Sequence, residues 1–423
     1  MKQSLDRIEF SIIPDRRYKV TQVRVLVTIF EQLIPMSGGG TPRISNIIKA
    51  LVRKGHRVYV ASSLGVRKEV AIDQLGCVDL VPLLNVSRLS PSKMVRYLYA
   101  HPLNIWRVVK YARRVKPDLI ISHNSIAGFA GILGRRFQKD CLVVLDLTDL
   151  LFEYLEDYHS GGWVRLVQLE GKRLERKTIR ESDKIVTVSN SMRDILLTYG
   201  TKLENIEVIC DGVDTKIFKR TNENELRNEF GESAENIVIF QGVVDPQDNP
   251  EIILHAAREV LKKHDRTMFW IIGDGTALPT LKQKVAEENL ARHFYFSGWV
   301  KQEEVARYIS ASDIGLVVLP DSLSARGRVT LKEFEYWACG IPVIVPQLPA
   351  LEEVVVEGER GFFYQPGDFK DLAKKIILLI ESKDMRKKMG QKGMEVVKEK
   401  FEWQKLTNHY VKICENFVKR IQE

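Results

Sequence analysis

Arg326, Arg328 and Lys332 surround the start of a short predicted helix in the segment RGRVTLKEFEYWACGIPVIVP, residues 326–346. Backbone amides in the first turn of a helix carry a partial positive charge, and the three cations add to it. This combination suits an anion such as a phosphate group. The alternative is a basic loop that merely precedes a well-capped helix, and the rest of the chain has to separate the two interpretations.

The bounds of this helix follow from its capping residues. Thr330 followed three residues later by Glu333 is typical of a capping box, so we predict that the helix begins at Leu331. Gly340 suits the left-handed position that follows a helix, so the helix should end near Cys339.

One carboxylate of this helix is placed to bind a ligand. Glu335 shares a helical face with Leu331 and Ala338, and these apolar neighbours direct that face inward. A carboxylate in this position is better suited to the hydroxyl groups of a ligand than to water.

The length and composition predict two globular domains. A chain of 423 residues is too long to fold around a single hydrophobic core. Its composition, with 44% hydrophobic and 28% charged residues, is typical of globular proteins. The five cysteines are scattered without a CxxC pair, which favours reduced thiols over disulfides or a zinc site. Neither a long apolar run nor a signal-peptide pattern is present in this sequence, so we expect a cytoplasmic protein.

Apolar runs alternate with amphipathic helical patterns along the chain. The first group of runs comprises residues 23–30, 57–63, 118–123, 141–147 and 184–189, and the second comprises 236–242, 267–275, 314–320 and 341–346. Continuous Val and Ile runs separated by helices indicate parallel sheets covered on both faces. We therefore predict an α/β fold of two doubly wound Rossmann-like domains, with ligands bound beyond the carboxyl ends of the strands.

Glycines follow several of these strands. Gly39 and Gly40 lie in the loop SGGGTPR, Gly242 in FQGVVDPQDN and Gly273 in GDGTALP. Glycine lets the backbone approach a phosphate or hydroxyl closely, although a plain tight turn is the alternative for the first loop. The absence of GxGxxG disfavours a dehydrogenase, and the absence of GxxxxGK[ST] excludes phosphate-loop kinases and ATPases.

His123 ends the predicted strand DLIISH, where side chains face the cleft. A histidine there is either a hydrogen-bonded packing residue or a catalytic one. The other histidines form no metal-binding pattern with acids, so no metal site is predicted.

Positive charge is concentrated in the first half of the chain. Residues 1–200 hold 32 Lys and Arg against 19 Asp and Glu, whereas the remaining residues hold 32 against 36. Eight basic residues and no acid lie between Asp79 and Asp118. Aromatic residues are interleaved with them, namely Tyr97, Tyr99, Trp106 and Tyr111. Residues 82–117 therefore suit an anionic membrane surface, with a solvated basic face as the alternative. Nucleic acid is not expected as a partner because no nucleic-acid module accompanies the segment.

Six segments in order resemble the retaining glycosyltransferases of family 4 (glycosyl transferases group 1), which have the GT-B architecture. GGGTPRISNIIKALVRKGHRVYV is similar to the family's opening loop and helix, and LERKTIRESDKIVTVS and ICDGVDTKIF to the end of its first domain. ASDIGLVVLP, FEYWACGIPVIV and GERGFFYQPGD are similar to its second domain. The resemblance implies a first domain over residues 1–215, a second over 216–400 and a C-terminal helix over 401–423 that returns to the first.

The resemblance also implies an activity. Such an enzyme moves a sugar from a nucleotide-diphosphate-sugar donor to a glycan or lipid-linked acceptor, with retention at the anomeric carbon and without a metal or cofactor. The donor phosphates would lie at the amides of Thr330 and Leu331, Glu335 would bind the ribose, and His123 would lie beside the sugar. We assign His123 and Lys332 to catalysis, and to donor binding Gly39, Gly40, Gly242, Gly273, Arg326, Arg328, Thr330, Leu331 and Glu335.

Three positions depart from the family pattern. Gly327 stands where the first acid of the E-x7-E pair is usual. Val243 and Asp248 stand where the GRxxxxKG segment normally supplies an arginine and a lysine to the diphosphate. We expect Arg326 and Arg328 to replace these cations. A catalytically silent nucleotide-sugar-binding protein and a nucleotide-sugar epimerase are the alternative functions.

Overall fold

The computed structural model describes residues 22–34, 39–64, 68–76, 78–84, 93–153, 162–231 and 234–422. Within these residues the chain forms two parallel sheets, each flanked by helices, and ends in a long helix. The predicted α/β class with two Rossmann-like domains is confirmed.

The first domain contains a sheet with seven described strands in the order β3-β2-β1-β4-β5-β6-β7. The strands are β1 Arg24–Ile34, β2 Arg57–Leu64, β3 Asp79–Pro82, β4 Leu119–His123, β5 Leu142–Leu147, β6 Lys184–Thr187 and β7 Ile206–Val208. The helices are α1 Gly40–Arg53, α2 Lys68–Leu75, α3 Lys93–Val115, α4 Asn124–Arg135, α5 Gly162–Glu181 and α6 Asn190–Thr198. Leu26 and Val27 show why the strands are continuously apolar: they are consecutive in β1, belong to different hydrophobic clusters and are both fully buried.

The second domain repeats this plan, with six described strands in the order β10-β9-β8-β11-β12-β13. They are β8 Asn236–Gln241, β9 Thr267–Ile272, β10 Phe294–Gly298, β11 Ile314–Leu316, β12 Val343–Pro346 and β13 Gly361–Tyr364. The helices are α7 Asn224–Gly231, α8 Glu251–Leu261, α9 Leu278–Glu287, α10 Gln302–Ser310, α11 Leu323–Gly327, α12 Lys332–Ala338, α13 Pro349–Glu352, α14 Phe369–Glu381 and α15 Lys383–Val396. The connection between the two sheets, from β7 to β8, contains residue 215, where the sequence places the domain boundary.

The last helix, α16 Trp403–Gln422, packs on the first domain. Tyr410, Val411 and Cys414 are buried in the same hydrophobic cluster as residues of β1 and α1. Where the chain crosses back, the Val213 amide donates a hydrogen bond to the Phe401 carbonyl at 2.9 Å. The predicted return of the C-terminal helix is therefore observed.

Two further observations concern the described residues. Their cysteines are unpaired, namely Cys141, Cys210, Cys339 and Cys414, while Cys77 lies outside the described range. None of their helices combines the length and the apolar character that a membrane span requires.

Candidate functional site

A cleft of about 480 Å3 lies between the two domains, beyond the carboxyl ends of their strands. The first domain contributes Gly39, Gly40, Thr148 and Asp149 to its wall, and the second contributes the ends of β8 and β9 and the start of α12. This volume falls within the range of small-molecule sites, and the position agrees with the rule for doubly wound sheets.

Most residues predicted from the sequence meet at this cleft. Nine of the eleven, all of which are described, line it: Gly39, Gly40, Gly242, Gly273, Arg328, Thr330, Leu331, Lys332 and Glu335. Arg326 and His123 do not line it.

The start of α12 is built by the predicted capping box. The Thr330 amide donates a hydrogen bond to Glu333 Oε1 at 2.7 Å, and the Lys332 amide donates to Thr330 Oγ1 at 3.3 Å. The Thr330 hydroxyl also donates to Glu333 Oε2, so both oxygens of the carboxylate are engaged. The helix starts at Lys332, one residue later than predicted, so Leu331 lies between Thr330 of the capping box and the first helical residue. The first turn of α12 therefore opens into the cleft.

Glu335 lies on the inward face of α12, as predicted, and is 7% exposed. Gln241 Nε2 donates a hydrogen bond to Glu335 Oε2 at 2.5 Å, which fixes the orientation of the carboxylate. Burial raises the pKa of Glu335 to about 8, although the charge of Lys332 opposes this shift. A carboxyl group so oriented at the cleft can bind ligand hydroxyls.

Two glycines allow Lys332 and the strand ends to approach each other. Gly242 has a φ of +122°, and a Cβ there would lie 2.9 Å from Lys332 Cε. Gly273 has a φ of +141°, and a Cβ there would lie 1.9 Å from the Gly242 carbonyl oxygen. Side chains at either position would therefore displace the backbone or Lys332. The Lys332 ammonium lies 5.4 Å from the centre of the Phe240 ring, and burial lowers its pKa.

Arg328 supplies positive charge at this part of the cleft. Its Nη2 lies 2.7 Å from Asp248 Oδ1, and the two side chains are only 13% and 4% exposed. Asp248 stands where the family usually has a lysine. In this chain Asp248 instead pairs with Arg328, which comes from a different loop. Val243, at the family's arginine position, lines the cleft with an exposed apolar side chain.

Arg326 does not reach the cleft, and the expectation that it replaces a family cation is wrong for this structure. Its side chain is 55% exposed and its Nε lies 2.6 Å from Asp321 Oδ1. Asp321 precedes the short helix α11, which the Ser322 hydroxyl caps, and Arg326 lies within that helix. The pair therefore holds the guanidinium away from the residues that line the cleft.

The glycine at position 327 has a steric reason. A Cβ on Gly327 would lie 2.9 Å from Met192 Cε and 3.2 Å from Met192 Cα, both in helix α6 of the first domain. The Ser189 hydroxyl donates a hydrogen bond to the Gly327 carbonyl at 2.7 Å. A glutamate at this position would not fit between the domains in this arrangement.

His123 lies behind Gly40, is 2% exposed and is separated by that glycine from the cleft. A Cβ on Gly40 would lie 2.0 Å from His123 Nε2, so this nitrogen is directed at the glycine. The other ring nitrogen, Nδ1, lies 2.9 Å from Asp146 Oδ2. Burial disfavours the charged ring, but the hydrogen bond and charge of Asp146 outweigh it and raise the pKa of His123.

Asp146 was not singled out from the sequence, although it is a lone acid in the apolar run CLVVLDL. It is fully buried and accepts a hydrogen bond from Arg43 Nε at 2.9 Å. Arg43 also donates to Asp211 Oδ1 at 3.0 Å and to the Ile209 carbonyl at 3.0 Å. This network ties α1 to the ends of β5 and β7 and so positions Gly40 at the start of α1.

Comparisons with known proteins agree with this architecture. The family model described as Glycosyltransferase Family 4 matches residues 37–217, and that of Glycosyl transferases group 1 matches residues 222–396. An uncharacterised glycosyltransferase of Methanocaldococcus jannaschii is 25% identical over 90% of this chain and 95% of its own. The alpha-monoglucosyldiacylglycerol synthase of Streptococcus pneumoniae is 29% identical over 70% of this chain and 66% of its own.

Solved structures show the same fold. Alr3699/HepE of Anabaena, determined in complex with UDP and with UDP-glucose, has a TM-score of 0.73 at 18% identity, over 93% of this chain and 100% of that one. Together the two family models span both domains in the expected order. The chain therefore belongs to the group 1 glycosyltransferases of family 4 type, with the GT-B architecture.

Proposed function

We propose that this protein transfers a sugar from a nucleotide-diphosphate-sugar to an acceptor hydroxyl, with retention at the anomeric carbon. The observation that carries the proposal is the start of α12, where the first helical turn, Lys332 and Arg328 meet at a cleft walled by both domains. Helix amides and cations together bind phosphate, and they stabilise the charge that grows on a leaving diphosphate.

The donor is placed by the same residues. The diphosphate lies at the Leu331 amide beside Lys332 and Arg328, because the Thr330 amide that the family resemblance also implies is already bonded to Glu333 Oε1. The Glu335 side chain forms hydrogen bonds with the ribose hydroxyls. The sugar then extends toward Gly39 and Gly40 of the first domain, with His123 behind them. During transfer the bond from the anomeric carbon to the diphosphate oxygen breaks, the acceptor oxygen bonds to that carbon, and its proton passes to the diphosphate or to solvent.

Transfer in this scheme proceeds without a metal ion or cofactor, because helix amides and cations perform the stabilisation that a divalent ion performs elsewhere. Full activity in the presence of EDTA supports this part of the proposal. Loss of activity that Mg2+ or Mn2+ restores would contradict it.

The acceptor side is proposed from the exposed face of α3. Leu103 and Trp106 are 52% and 58% exposed, and Lys110 Nζ lies 5.0 Å from the centre of the Trp106 ring. Arg113 and Arg114 are also exposed. The spacing of these residues places them along one side of the helix, where apolar groups and cations together suit an anionic bilayer surface. A lipid-linked or membrane-proximal acceptor fits this face.

Residues 85–92 and the side chains of Tyr97 and Tyr99 lie outside the described part of the chain. Tyr111 packs edge-on against Tyr59, with the ring centres 6.2 Å apart, so it is partly buried against the first domain.

A thermal-shift titration with UDP, GDP, ADP and NAD tests the donor class. A ligand at 100 times its Kd stabilises the folded protein by about 2.7 kcal/mol, which shifts Tm by a few degrees. We expect one nucleoside diphosphate to stabilise the wild type and Glu335→Ala to lose that shift. Stabilisation by NAD alone, or by none of them, would contradict the proposal. Conversion of the nucleotide-sugar without acceptor would favour an epimerase instead.

A further inference from the structure

The first turn of helix α6 in the first domain is capped by a carboxylate of the second domain. The Asn190 amide donates a hydrogen bond to Glu353 Oε2 at 2.8 Å, and the Ser191 amide donates to Glu353 Oε1 at 2.7 Å. Both side chains donate to the same carboxylate, from Asn190 Nδ2 at 2.9 Å and Ser191 Oγ at 2.6 Å. One glutamate thus receives four hydrogen bonds across the domain boundary.

The capping of α6 is shared between the two domains. The next amide of the turn, that of Met192, donates to Ser189 Oγ at 2.9 Å within the first domain. A negative charge at the start of a helix is also favoured by the helix dipole. Glu353 therefore completes an N-cap that Ser189 only begins.

A second contact joins the same turn to the cleft. The Ser189 hydroxyl donates to the Gly327 carbonyl, and Gly327 packs on Met192. The residue after Gly327 is Arg328, which lines the cleft. The first domain therefore touches the very loop that carries the cation of the donor site.

These contacts suit repeated opening. Glu353 and Asn190 are exposed, so separation of the domains leaves their polar groups in water rather than buried without partners. Hydrogen bonds between exposed groups contribute little net free energy, because water competes for the same donors and acceptors. Four of them on one carboxylate select the closed arrangement without locking it.

We propose that Glu353 and Ser189 are positioning residues that close the two domains over the donor and fix the loop bearing Arg328. The contact formed by Glu353 with Asn190 and Ser191, and by Ser189 with Gly327, is called the closure contact. Its link to the donor rests on the proposed function. Closure and donor binding then favour each other, because such coupling is reciprocal.

Glu353→Ala tests the closure contact, with Glu352→Ala as a matched control. Glu352 is the preceding residue, is exposed, and accepts a hydrogen bond from Gln347 Nε2 at 2.9 Å within the second domain. Three quantities are measured: hydrogen exchange of the Asn190 and Ser191 amides without ligand, the radius of gyration with and without UDP, and steady-state kinetics. Ser189→Ala serves as a second variant that leaves Glu353 intact.

We expect exchange of these amides to rise about tenfold in Glu353→Ala and to stay at the wild-type rate in Glu352→Ala. UDP should compact the wild type more than Glu353→Ala, and the donor KM should rise about tenfold in Glu353→Ala, a size typical of coupling between sites. The kcat should fall as well, because the loop bearing Arg328 is no longer fixed. Equal exchange in the two variants would overturn the proposal.

The outcomes also separate the closure contact from the proposed function. If exchange rises in Glu353→Ala but no nucleoside diphosphate compacts the wild type, the closure contact stands and the donor assignment fails. If UDP binds and compacts the wild type and Glu353→Ala alike, the donor assignment stands and the closure contact is wrong.

Discussion

At the scale of single residues, most of the site follows the family pattern, but one of its cations comes from a different position in the sequence. Glu335 lies on the face that the sequence predicts, and α12 starts one residue later than predicted. At position 248 the family usually has a lysine, whereas this chain has Asp248. Arg328, from the loop before α12, places its Nη2 2.7 Å from Asp248 Oδ1. An arginine is thus present at this place in the cleft, paired with an acid, although the lysine that the family normally uses is absent.

Arg328→Gln should weaken binding of the nucleoside diphosphate by about 10- to 100-fold, because a hydrogen bond to a charged group contributes about 1.5–3 kcal/mol. The measurement is isothermal titration calorimetry. Arg326→Gln removes an exposed arginine of the neighbouring helix and is the matched control, expected to bind like the wild type.

The single variant leaves Asp248 buried without its partner, so a loss of stability accompanies it. The double variant Asp248→Asn with Arg328→Gln avoids this charge and should show the same loss of affinity. Wild-type affinity in the double variant would rule out Arg328 as a donor cation.

Glu335 makes stability depend on pH. Its pKa is raised from 4.5 to about 8 by burial, so the folded protein holds a proton that the unfolded chain releases. Folding stability is therefore lost as pH rises from about 4.5 to about 8. Glu335→Gln removes this dependence. The Tm of the variant minus that of the wild type should therefore rise with pH over this interval and stay constant above it.

The check is a series of melting curves without ligand between pH 5 and pH 9. Glu352→Gln, an exposed carboxylate on the surface of the second domain, controls for loss of a negative charge. A Tm difference between Glu335→Gln and wild type that stays constant across the series would show that Glu335 has an ordinary pKa.

The sequence was informative about single residues where local rules apply. Thr330 and Glu333 form a capping box because both partners lie within four residues of each other. Arg326 was wrongly predicted to bind the donor, because in the structure it pairs with Asp321. The sequence spacing does not show whether an arginine pairs with a nearby acid or with a ligand. Asp146 was missed because its partners His123 and Arg43 are distant in sequence and meet only through the sheet.

At the scale of elements, strands were predicted well because both faces of each parallel sheet are buried and the runs are continuously apolar. The return of α16 came from the family resemblance, since its amphipathic pattern does not say which domain it covers. Val411 is fully buried in the cluster with β1 and α1, whereas the next residue, Lys412, is exposed.

Val411→Asp should therefore detach α16 and destabilise the first domain by several kcal/mol, because it buries a charge without a partner. Lys412→Asp, with the same new side chain one residue later, should stay within about 0.5 kcal/mol of the wild type, as surface substitutions do. Urea unfolding followed by tryptophan fluorescence measures both. Similar stabilities for the two variants would mean that α16 is not part of the core of the first domain.

At the scale of the whole molecule, the relative position of the domains could not be predicted from the sequence. It depends on contacts such as Ser189 with Gly327, which join residues 138 positions apart. Gly327 illustrates the difficulty: by the family pattern it is a missing acid, and only the structure shows that helix α6 occupies the space an acid would need.

The asymmetry of charge between the two halves is a property of this same scale. Residues 1–200 carry a net charge of +13 (32 basic against 19 acidic residues), and the remainder carries −4 (32 against 36). An anionic bilayer should therefore attract the first domain and repel the second, so that the molecule binds with α3 toward the lipid. Each basic residue near such a surface contributes about 1 kcal/mol, and salt screens this attraction.

Co-sedimentation with vesicles of phosphatidylglycerol and phosphatidylcholine should consequently show binding that rises with the anionic fraction. Binding should fall at least about tenfold between roughly 50 and 500 mM salt, because the Debye length shortens about threefold over this range. Substituting Trp106, Lys110 and Arg113 together by alanine should abolish binding, because it removes both the apolar anchor and two cations from one face. A matched variant that removes an exposed tryptophan and two exposed lysines from the second domain, at Trp299, Lys262 and Lys392, should bind like the wild type. If both triple variants lose binding equally, the attraction depends on total charge rather than on α3, and the basic face is a solvated surface.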